Sequence, residues 1–144
     1  MNVNFEYIIN RSVKTIFDAI VDSKQMSNYF ISNANSSLEE HKVIKWEFAD
    51  IGSELEIFVK KIEENSLIQF EWNTTGKPTT VEINLESLDD NTTKIKITEG
   101  EWENNEEGSA KVMQQSIGWT DFFCGLKAYV LFNVNLRTGK NLNI

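Results

Sequence analysis

The apolar residues of the last long stretch of the chain, residues 106–136, recur at the spacing of an α-helix. At roughly 100° per residue they fall on one stripe of the helix surface. This stripe consists of Val112, Trp119, Phe123, Leu126, Val130 and Val134. The pattern predicts one long C-terminal helix. Because nearly everything before it has the pattern of short strands, the helix is expected to bury its stripe against a sheet.

Upstream of this helix, the apolar residues have mainly a period of two, as in strands with one buried face. Residues 2–10 alternate in this way and predict a first strand. Between residues 42 and 101, five further alternating segments are separated by polar or Gly/Pro-containing turns. The residues expected on their buried face are Ile44, Trp46, Phe48, Leu55, Ile57, Val59, Ile68, Phe70, Trp72, Val81, Ile83, Leu85, Ile95 and Ile97. Connections of hairpin length predict an antiparallel sheet.

Two short helices are predicted between the first strand and the others. Residues 12–21 place apolar side chains at helical spacing, and Ser12 stands where an N-cap residue belongs. Residues 23–30 predict a second helix, which Asp22 or Ser23 would cap. The following residues, 31–40, are rich in Asn and Ser and predict a loop with at most a weak strand.

The order of these elements predicts a single α+β domain over residues 1–144. In this arrangement, a curved antiparallel sheet wraps around the long C-terminal helix, and the two short helices follow the first strand. A sheet of this many strands curls under its own twist and acquires a concave face. Because the helix should rarely fill that concavity along its whole length, we expect a cavity between helix and sheet.

Composition and charge restrict the classes of partner. The net charge of −8, with no basic cluster longer than Lys60-Lys61, argues against nucleic acid. No apolar run is long enough for a membrane span, and the N-terminal residues lack the continuous apolar core of a signal peptide. The single cysteine, Cys124, cannot form an internal disulfide and suits a reducing compartment. These features predict a soluble, cytoplasmic protein.

Residue types that carry metal or cofactor chemistry are sparse. His41 is the only histidine and lies in a polar loop, whereas Cys124 lies in the middle of the long helix, off its apolar stripe. This separation argues against a Cys/His nucleophile pair. No multi-ligand spacing for a metal is present, and the glycines stand singly rather than in a phosphate-binding loop. We therefore expect no metal and no cofactor.

The chain resembles a known family over essentially its whole length. The resemblance rests on the order of elements and on the segments Trp46-Glu47-Phe48, Gly118-Trp119, Phe122-Phe123, Leu126-Lys127 and Tyr129. These look like the activator of Hsp90 ATPase homologue 1-like domain, which belongs to the START-like superfamily, also called SRPBCC. The resemblance implies the helix-grip fold, also known as START-like or Bet v 1-like. It further implies an apolar pocket for lipid-like or other small hydrophobic molecules.

Inward-pointing residues of the sheet and of the long helix are the candidate ligand-binding residues. Aromatic side chains dominate pockets but also ordinary cores, so each candidate could line a cavity or could simply be packed. The candidates are Trp46, Phe48, Ile57, Phe70, Trp72, Ile83, Ile97, Trp119 and Phe123.

Glu99 and Glu101 are the only catalytic candidates. If the alternation of the last strand continues past Ile97, both carboxylates face the concave side. A carboxyl group buried there could act as a general acid or anchor a polar head group. Gly100, between them, is typical of a bulge or a strand end. We therefore favour the interpretation that both side chains turn to solvent.

Three functions are compatible with this sequence. The first, which we prefer, is non-catalytic binding of a small hydrophobic molecule in the cavity. The second is an enzyme of the polyketide-cyclase type, with Glu99 or Glu101 as acid or base. The third is a chaperone-linked protein-interaction domain, and it rests on the family resemblance alone.

The side of the long helix away from its apolar stripe predicts an interaction surface. It carries few charges, and Gly118, Gly125 and Phe132 lie along it. A glycine in the middle of a helix costs roughly 1 kcal/mol relative to alanine unless something approaches it closely. This flank could form a homodimer interface, or the first two helices or the C-terminal tail could cover it.

Overall fold

A computed structural model gives the fold of residues 1–139. Within these residues the backbone forms a seven-stranded antiparallel sheet in the order β1-β7-β6-β5-β4-β3-β2. The strands are β1 (Val3–Ile9), β2 (Asn33–Ala34), β3 (Val43–Phe48), β4 (Ser53–Glu63), β5 (Leu67–Trp72), β6 (Thr79–Asp89) and β7 (Thr92–Gly100). Successive strands from β2 to β7 are neighbours, and β1 pairs with β7 at the far edge. The predicted antiparallel sheet is confirmed, and β2 is the weak strand expected in the loop.

Three α-helices accompany the sheet in the described part of the chain: α1 (Val13–Val21), α2 (Ser23–Met26) and α3 (Glu106–Phe132). The Ser12 side chain caps α1 by accepting a hydrogen bond from the Thr15 N–H at 3.2 Å, as predicted. The Asp22 side chain caps α2 by accepting one from the Lys24 N–H at 2.9 Å. Both helices are therefore placed by local sequence signals.

The second helix is shorter than the predicted span of residues 23–30. Beyond Met26, the Ser27 hydroxyl and the Asn28 side-chain amide both donate hydrogen bonds to the Lys24 carbonyl oxygen, at 2.6 and 3.0 Å. Side chains that bond to the backbone in this way compete with continuation of a helix. The chain therefore turns after Met26, and the two aromatic residues that follow reach the core from a turn.

The long helix α3 has a cap at each end. The Asn105 side chain accepts a hydrogen bond from the Gly108 N–H at 2.8 Å. At the other end, Asn133 adopts a left-handed conformation with φ of 52°, and the helix ends at Phe132. The predicted extension to residue 136 is wrong, because asparagine tolerates the left-handed backbone that terminates a helix. Val134, expected on the apolar stripe, lies beyond the helix and is exposed.

The predicted apolar stripe of α3 packs against the concave face of the sheet. Trp119, Phe123 and Leu126 are buried as the pattern predicts, and Gln115 and Phe122 widen the buried side. Val112 and Val130 are partly buried at its margins. The space between this side of α3 and the sheet holds the core, and any internal site must lie there.

Candidate functional site

Most of the predicted ligand-binding residues form the packed core between the sheet and α3. All nine expose 7% or less of their surface: Trp46, Phe48, Ile57, Phe70, Trp72, Ile83, Ile97, Trp119 and Phe123. The rings of Trp46, Phe70 and Trp72 on the sheet make edge-to-face contacts with one another. The ring centres of Trp46 and Phe70 are 5.5 Å apart, and those of Phe70 and Trp72 are 5.3 Å apart. Side chains packed in this way serve mainly to fill the interior.

A cavity of about 100 Å³ remains beside the N-terminal half of α3. The indole rings of Trp72, from β5, and of Trp119, from α3, both line it. Their ring centres are 5.4 Å apart, so the two rings are in contact with each other. Phe30, from the turn after α2, lies 6.3 Å from Trp119 between ring centres and closes part of another side. The remaining lining residues are Thr74, Gln115 and Gly118. The cavity is therefore small and mainly aromatic.

The carboxylate of Glu99, which is 1% exposed, is hydrogen-bonded to three of the lining residues. The indole N–H groups of Trp72 and Trp119 donate to its Oε2 and Oε1 at 2.9 and 2.8 Å. The Gln115 amide nitrogen donates to the two oxygens at 3.0 and 3.2 Å. The Thr79 hydroxyl adds a hydrogen bond to Oε2 at 2.6 Å. Because these donors come from β5, β6 and α3, Glu99 joins the sheet to the helix.

Glu99 is buried because the alternation of β7 continues to the end of the strand. It pairs with Val3 of β1 on one side and with Val81 of β6 on the other, and both of these residues are buried. The interpretation that Glu99 turns to solvent is therefore wrong. Glu101 lies beyond the last residue of β7, Gly100, and is exposed.

The hydrogen bonds of Glu99 define its chemical role. All four side chains bonded to it are donors, which suits an ionised carboxylate that accepts hydrogen bonds and has no proton to give. Both oxygens are occupied, and Glu99 does not line the cavity itself. Its carboxylate therefore holds Trp72, Gln115 and Trp119 in place, which makes it a positioning residue.

The sequence patterns did not identify three residues of this site: Phe30, Thr74 and Gln115. Gln115 carried a signal, because it lies three residues after Val112 and four before Trp119 and so is a polar residue on the apolar stripe. Its amide nitrogen also donates to Thr74 Oγ1 at 2.8 Å. Phe30 and Thr74 belong to turns, where no periodic pattern marks a side chain that points inward.

The two glycines in the middle of α3 have different surroundings. A Cβ atom at Gly125 would lie 2.8 Å from the Tyr29 carbonyl oxygen, so the turn after α2 covers this position. At Gly125 the interpretation of a free interaction surface is therefore wrong, and the alternative that the segment predicted as the second helix covers the flank is confirmed. A Cβ atom at Gly118 would meet no atom within 4 Å. Phe132, the third residue of the predicted flank, is 70% exposed.

Tyr29 fills the space beside Gly125. Its hydroxyl donates a hydrogen bond to the Ala19 carbonyl oxygen at 2.8 Å, and its ring centre lies 5.6 Å from those of Phe122 and Tyr129. Burial, and to a smaller extent the neighbouring Tyr129, raises the pKa of the Tyr29 hydroxyl well above its ordinary value. This part of the interface is closed and built from neutral groups.

A second and more polar concavity, of about 320 Å³, lies beside the start of α3. Lys77 and Lys111 line it together with Glu103 and Glu107, so side chains of both charges face it.

Among residues 1–139, no group of three or more His, Cys, Asp and Glu side chains is arranged to hold a metal ion. None of the described helices is long and apolar enough to cross a membrane.

Comparison with known proteins places this architecture in a family. The family described as activator of Hsp90 ATPase homolog 1-like protein matches residues 10–131. The chain belongs to this family. The resemblance predicted from the sequence is therefore confirmed, as is the helix-grip fold that it implied. No curated protein sequence matches the chain.

Solved structures that share the fold with this Hsp90 ATPase activator homologue 1-like chain come from several organisms. Protein SSP2350 from Staphylococcus saprophyticus is 23% identical, with a TM-score of 0.84 over 95% of this chain and 96% of that one. Aha1 from Colwellia psychrerythraea, described as a dimer in solution, is 18% identical, with a TM-score of 0.77 over 92% and 97%. CalU16 from Micromonospora echinospora is 14% identical, with a TM-score of 0.75 over 94% and 78%. At these identities the likeness shows the fold alone.

Proposed function

We propose that this protein binds a small hydrophobic molecule without catalysing a reaction, and holds it between the sheet and α3. The observation that carries the proposal is the cavity of about 100 Å³ between Phe30, Trp72 and Trp119. Most of the remaining interface is filled by close-packed rings and aliphatic side chains. A pocket with apolar walls and a few polar groups is the usual form of a small-molecule site.

The volume of the cavity sets the size of the ligand. An apolar cavity of roughly 150 Å³ accepts benzene, whereas drug-sized ligands occupy pockets of roughly 300–1,000 Å³. At about 100 Å³ this cavity is smaller than either, so a single-ring molecule is the largest ligand that it favours, and a fatty acid or a sterol is too large. Phe30 is only partly buried and lies in a turn, so a shift of its ring would be the simplest way to admit a larger ligand.

The surroundings of Glu99 support binding rather than catalysis. A cyclase-type reaction would need a carboxyl group that reaches the ligand and exchanges a proton with it. Glu99 is in the interior, but its oxygens accept hydrogen bonds from four side chains and it does not line the cavity. The other catalytic candidate, Glu101, is exposed. We therefore assign neither carboxylate a catalytic role.

A titration with apolar molecules of increasing size, from benzene through naphthalene to a fatty acid, tests the proposal. In heteronuclear NMR spectra, the indole N–H signals of Trp72 and Trp119 report on the cavity. The Trp102 indole, which donates to Thr75 Oγ1 at 3.1 Å and lies outside the cavity, is an internal control. We expect benzene to shift the first two signals saturably and to leave Trp102 unchanged. If no probe shifts either Trp72 or Trp119, the proposal is wrong.

We also propose that the exposed side of α3 pairs with a second copy of the chain. Met113, Ile117 and Phe132 are 66%, 68% and 70% exposed and lie on the side of the helix away from the sheet. Met113 and Ile117 are about one helical turn apart, and neighbouring apolar residues on a surface are typical of interaction sites. The dimeric solution structure of Aha1 from Colwellia psychrerythraea, which shares the fold, supports a second copy as the partner. Of the predicted interface residues, Phe132 remains available, whereas Gly125 is covered by the turn after α2 and Gly118 lines the cavity.

Sedimentation equilibrium at tens of micromolar protein tests this pairing. A dimer of the wild-type chain should become a monomer in the Ile117→Lys variant, because an unpaired lysine is unfavourable in a buried interface. Val43→Lys introduces the same charge at an exposed apolar residue of β3 and should leave the dimer intact. A strictly monomeric wild-type chain would contradict the pairing.

A further inference from the structure

Gly118 has no packing reason to be a glycine. It lies in the middle of α3, where glycine is less favourable than alanine, yet a Cβ atom there would meet no atom within 4 Å. It is exposed and it lines the cavity. A larger side chain at this position would stand over the mouth of the cavity. The absence of a side chain therefore keeps the cavity open to solvent.

Two polar side chains line the otherwise aromatic cavity. Gln115 directs its amide nitrogen to Glu99 and to Thr74 Oγ1, and this settles the orientation of the amide because a carboxylate only accepts hydrogen bonds. Within residues 1–139, no donor is bonded to the Gln115 side-chain oxygen, and the Thr74 hydroxyl donates to no acceptor. The pair thus offers a ligand one acceptor and one donor.

A hydroxyl group on the ligand would satisfy both polar groups at once. It can donate to the Gln115 oxygen and accept from the Thr74 hydroxyl. A carboxylate ligand is disfavoured, because the negative charge of Glu99 lies 3.0 Å from the Gln115 nitrogen and the chain as a whole carries a charge of −8. The hydrogen-bonding groups of Gln115 and Thr74 therefore favour a ligand with a neutral hydroxyl group.

We propose that the cavity binds a neutral, single-ring phenol. Its ring packs against the neighbouring indoles of Trp72 and Trp119, and its hydroxyl is bound by Gln115 and Thr74. This inference rests on the proposed binding function and adds the chemical class of the ligand. Glu99 acts as a positioning residue, since it fixes the orientation of the Gln115 amide, and Gly118 forms the entrance.

Parallel titrations of the full chain with phenol, benzene and benzoate test the ligand class, again through the Trp72 and Trp119 indole signals. Phenol should bind about fivefold to tenfold more tightly than benzene, as expected for one net hydrogen bond, and benzoate should not bind. If benzene binds as tightly as phenol, the phenol inference fails while the proposed binding function stands. If none of the three binds, both fail. Benzoate binding at the affinity of phenol would overturn the selection for a neutral ligand.

Two variants test the polar residues of the cavity, here through Thr74, separately from its entrance at Gly118. Thr74→Val keeps the shape of the side chain and removes the hydroxyl, so it should lower the affinity for phenol about fivefold and leave that for benzene unchanged. Gly118→Leu should abolish the binding of both molecules, because the new side chain occupies the mouth. Wild-type affinity for phenol in Thr74→Val would overturn the inference about the hydroxyl, and retained binding in Gly118→Leu would overturn the assignment of the entrance.

Matched controls come from Thr120, which is exposed on the same helix and does not line the cavity. Thr120→Val repeats the loss of a hydroxyl, and Thr120→Leu places a leucine side chain on the surface of α3 away from the cavity; both variants should bind phenol as the wild type does. Thermal unfolding of every variant shows whether it is folded before it is titrated. A loss of binding in either Thr120 variant would attribute the effect to the helix as a whole and would overturn the assignment.

Discussion

Around Gly125, α3 touches the turn that follows α2, whereas around Gly118, seven residues earlier, the same helix leaves space beside the sheet. A Cβ atom at Gly125 would lie 2.8 Å from the Tyr29 carbonyl oxygen, and one at Gly118 would meet nothing within 4 Å. Both glycines lower the intrinsic helix stability to a similar extent. The two glycines therefore have different structural explanations. Gly125 allows a close contact with the backbone of another segment, and Gly118 leaves the mouth of the cavity open.

The two regions also differ in what holds their side chains. The sealed end, formed by Tyr29, Phe122 and Gly125, is kept in place by close packing of neutral groups. The open end, formed by Trp72, Gln115, Gly118 and Trp119, surrounds the cavity. There, directional hydrogen bonds to the buried Glu99 carboxylate fix the positions of the two indoles and the amide. The residues that line this cavity are thus held in place by hydrogen bonds to a buried carboxylate that does not itself line the cavity.

Phe122→Ala should have the largest effect, because it removes the ring at the centre of the sealed end. Phe122 is 1% exposed, and its ring centre lies within 5.6 Å of those of Tyr29, Phe30 and Trp119. Truncation should lower the free energy of unfolding by about 3–5 kcal/mol in urea titrations. The exposed Phe132, truncated in the same way, should change it by less than about 0.5 kcal/mol. A loss below about 1 kcal/mol in Phe122→Ala would show that this end is not tightly packed.

Glu99→Gln should have the next largest effect and tests the open end. The new amide group places a donor against partners that themselves donate, so at least one buried hydrogen bond is lost. The free energy of unfolding should fall by about 1–3 kcal/mol, and the Trp72 and Trp119 indole signals should move. Glu101→Gln makes the same chemical change at an exposed residue and should be nearly neutral. Equal effects of the two substitutions would show that the hydrogen bonds do not hold the cavity walls.

Much of the fold could be predicted because burial on one face imposes a period on the sequence. Alternation gave the strands, and the i, i+3 and i+4 spacing gave α3 and its contact with the sheet. The errors in the predicted elements lie at the ends of helices, where single side chains determine the last helical residue. Ser27 and Asn28 stop α2 by bonding to the Lys24 carbonyl oxygen, and Asn133 stops α3 by adopting a left-handed conformation. Local competition of this kind leaves no periodic trace.

The site was predicted less well, because its parts are distant in sequence. Alternation alone would have placed Glu99 inside, but Gly100 suggested a bend, and only pairing with both Val3 and Val81 shows that β7 continues to that point. The donors to Glu99 come from three elements, and no spacing relates them. The volume of the cavity depends on how Phe30 packs from a turn, which is a property of the folded core.

Gly125→Ala should destabilise the protein, since the new Cβ would approach a backbone oxygen that a side-chain rotation cannot move. The expected loss in the free energy of unfolding is about 1–2 kcal/mol, after the gain in helix propensity is counted. The measurement is urea unfolding followed by circular dichroism. A more stable variant would mean that the turn carrying Tyr29 moves aside readily and that this end is not sealed.

Alkaline pH should weaken the sealed end through Tyr29. The pKa of its hydroxyl is raised in the folded protein, so above pH 10 the unfolded chain releases this proton while the folded chain keeps it. Unfolding then releases a proton. Through this group, the free energy of unfolding falls by about 1.4 kcal/mol for each unit by which the pH rises. In Tyr29→Phe, the slope of the unfolding free energy against pH should be shallower by that amount. Identical slopes would place the hydroxyl in contact with solvent.

Gly118→Ala should have the smallest effect and the opposite sign to Gly125→Ala. Because a Cβ atom at Gly118 meets no neighbour, the only change is in helix propensity, and the free energy of unfolding should rise by about 1 kcal/mol. The two glycines are roughly 10 Å apart along the helix axis, so the double variant should show the sum of the two effects within about 0.5 kcal/mol. If Gly118→Ala destabilises the protein as Gly125→Ala does, the mouth of the cavity is closed in solution. The difference between the two ends of α3 would then disappear.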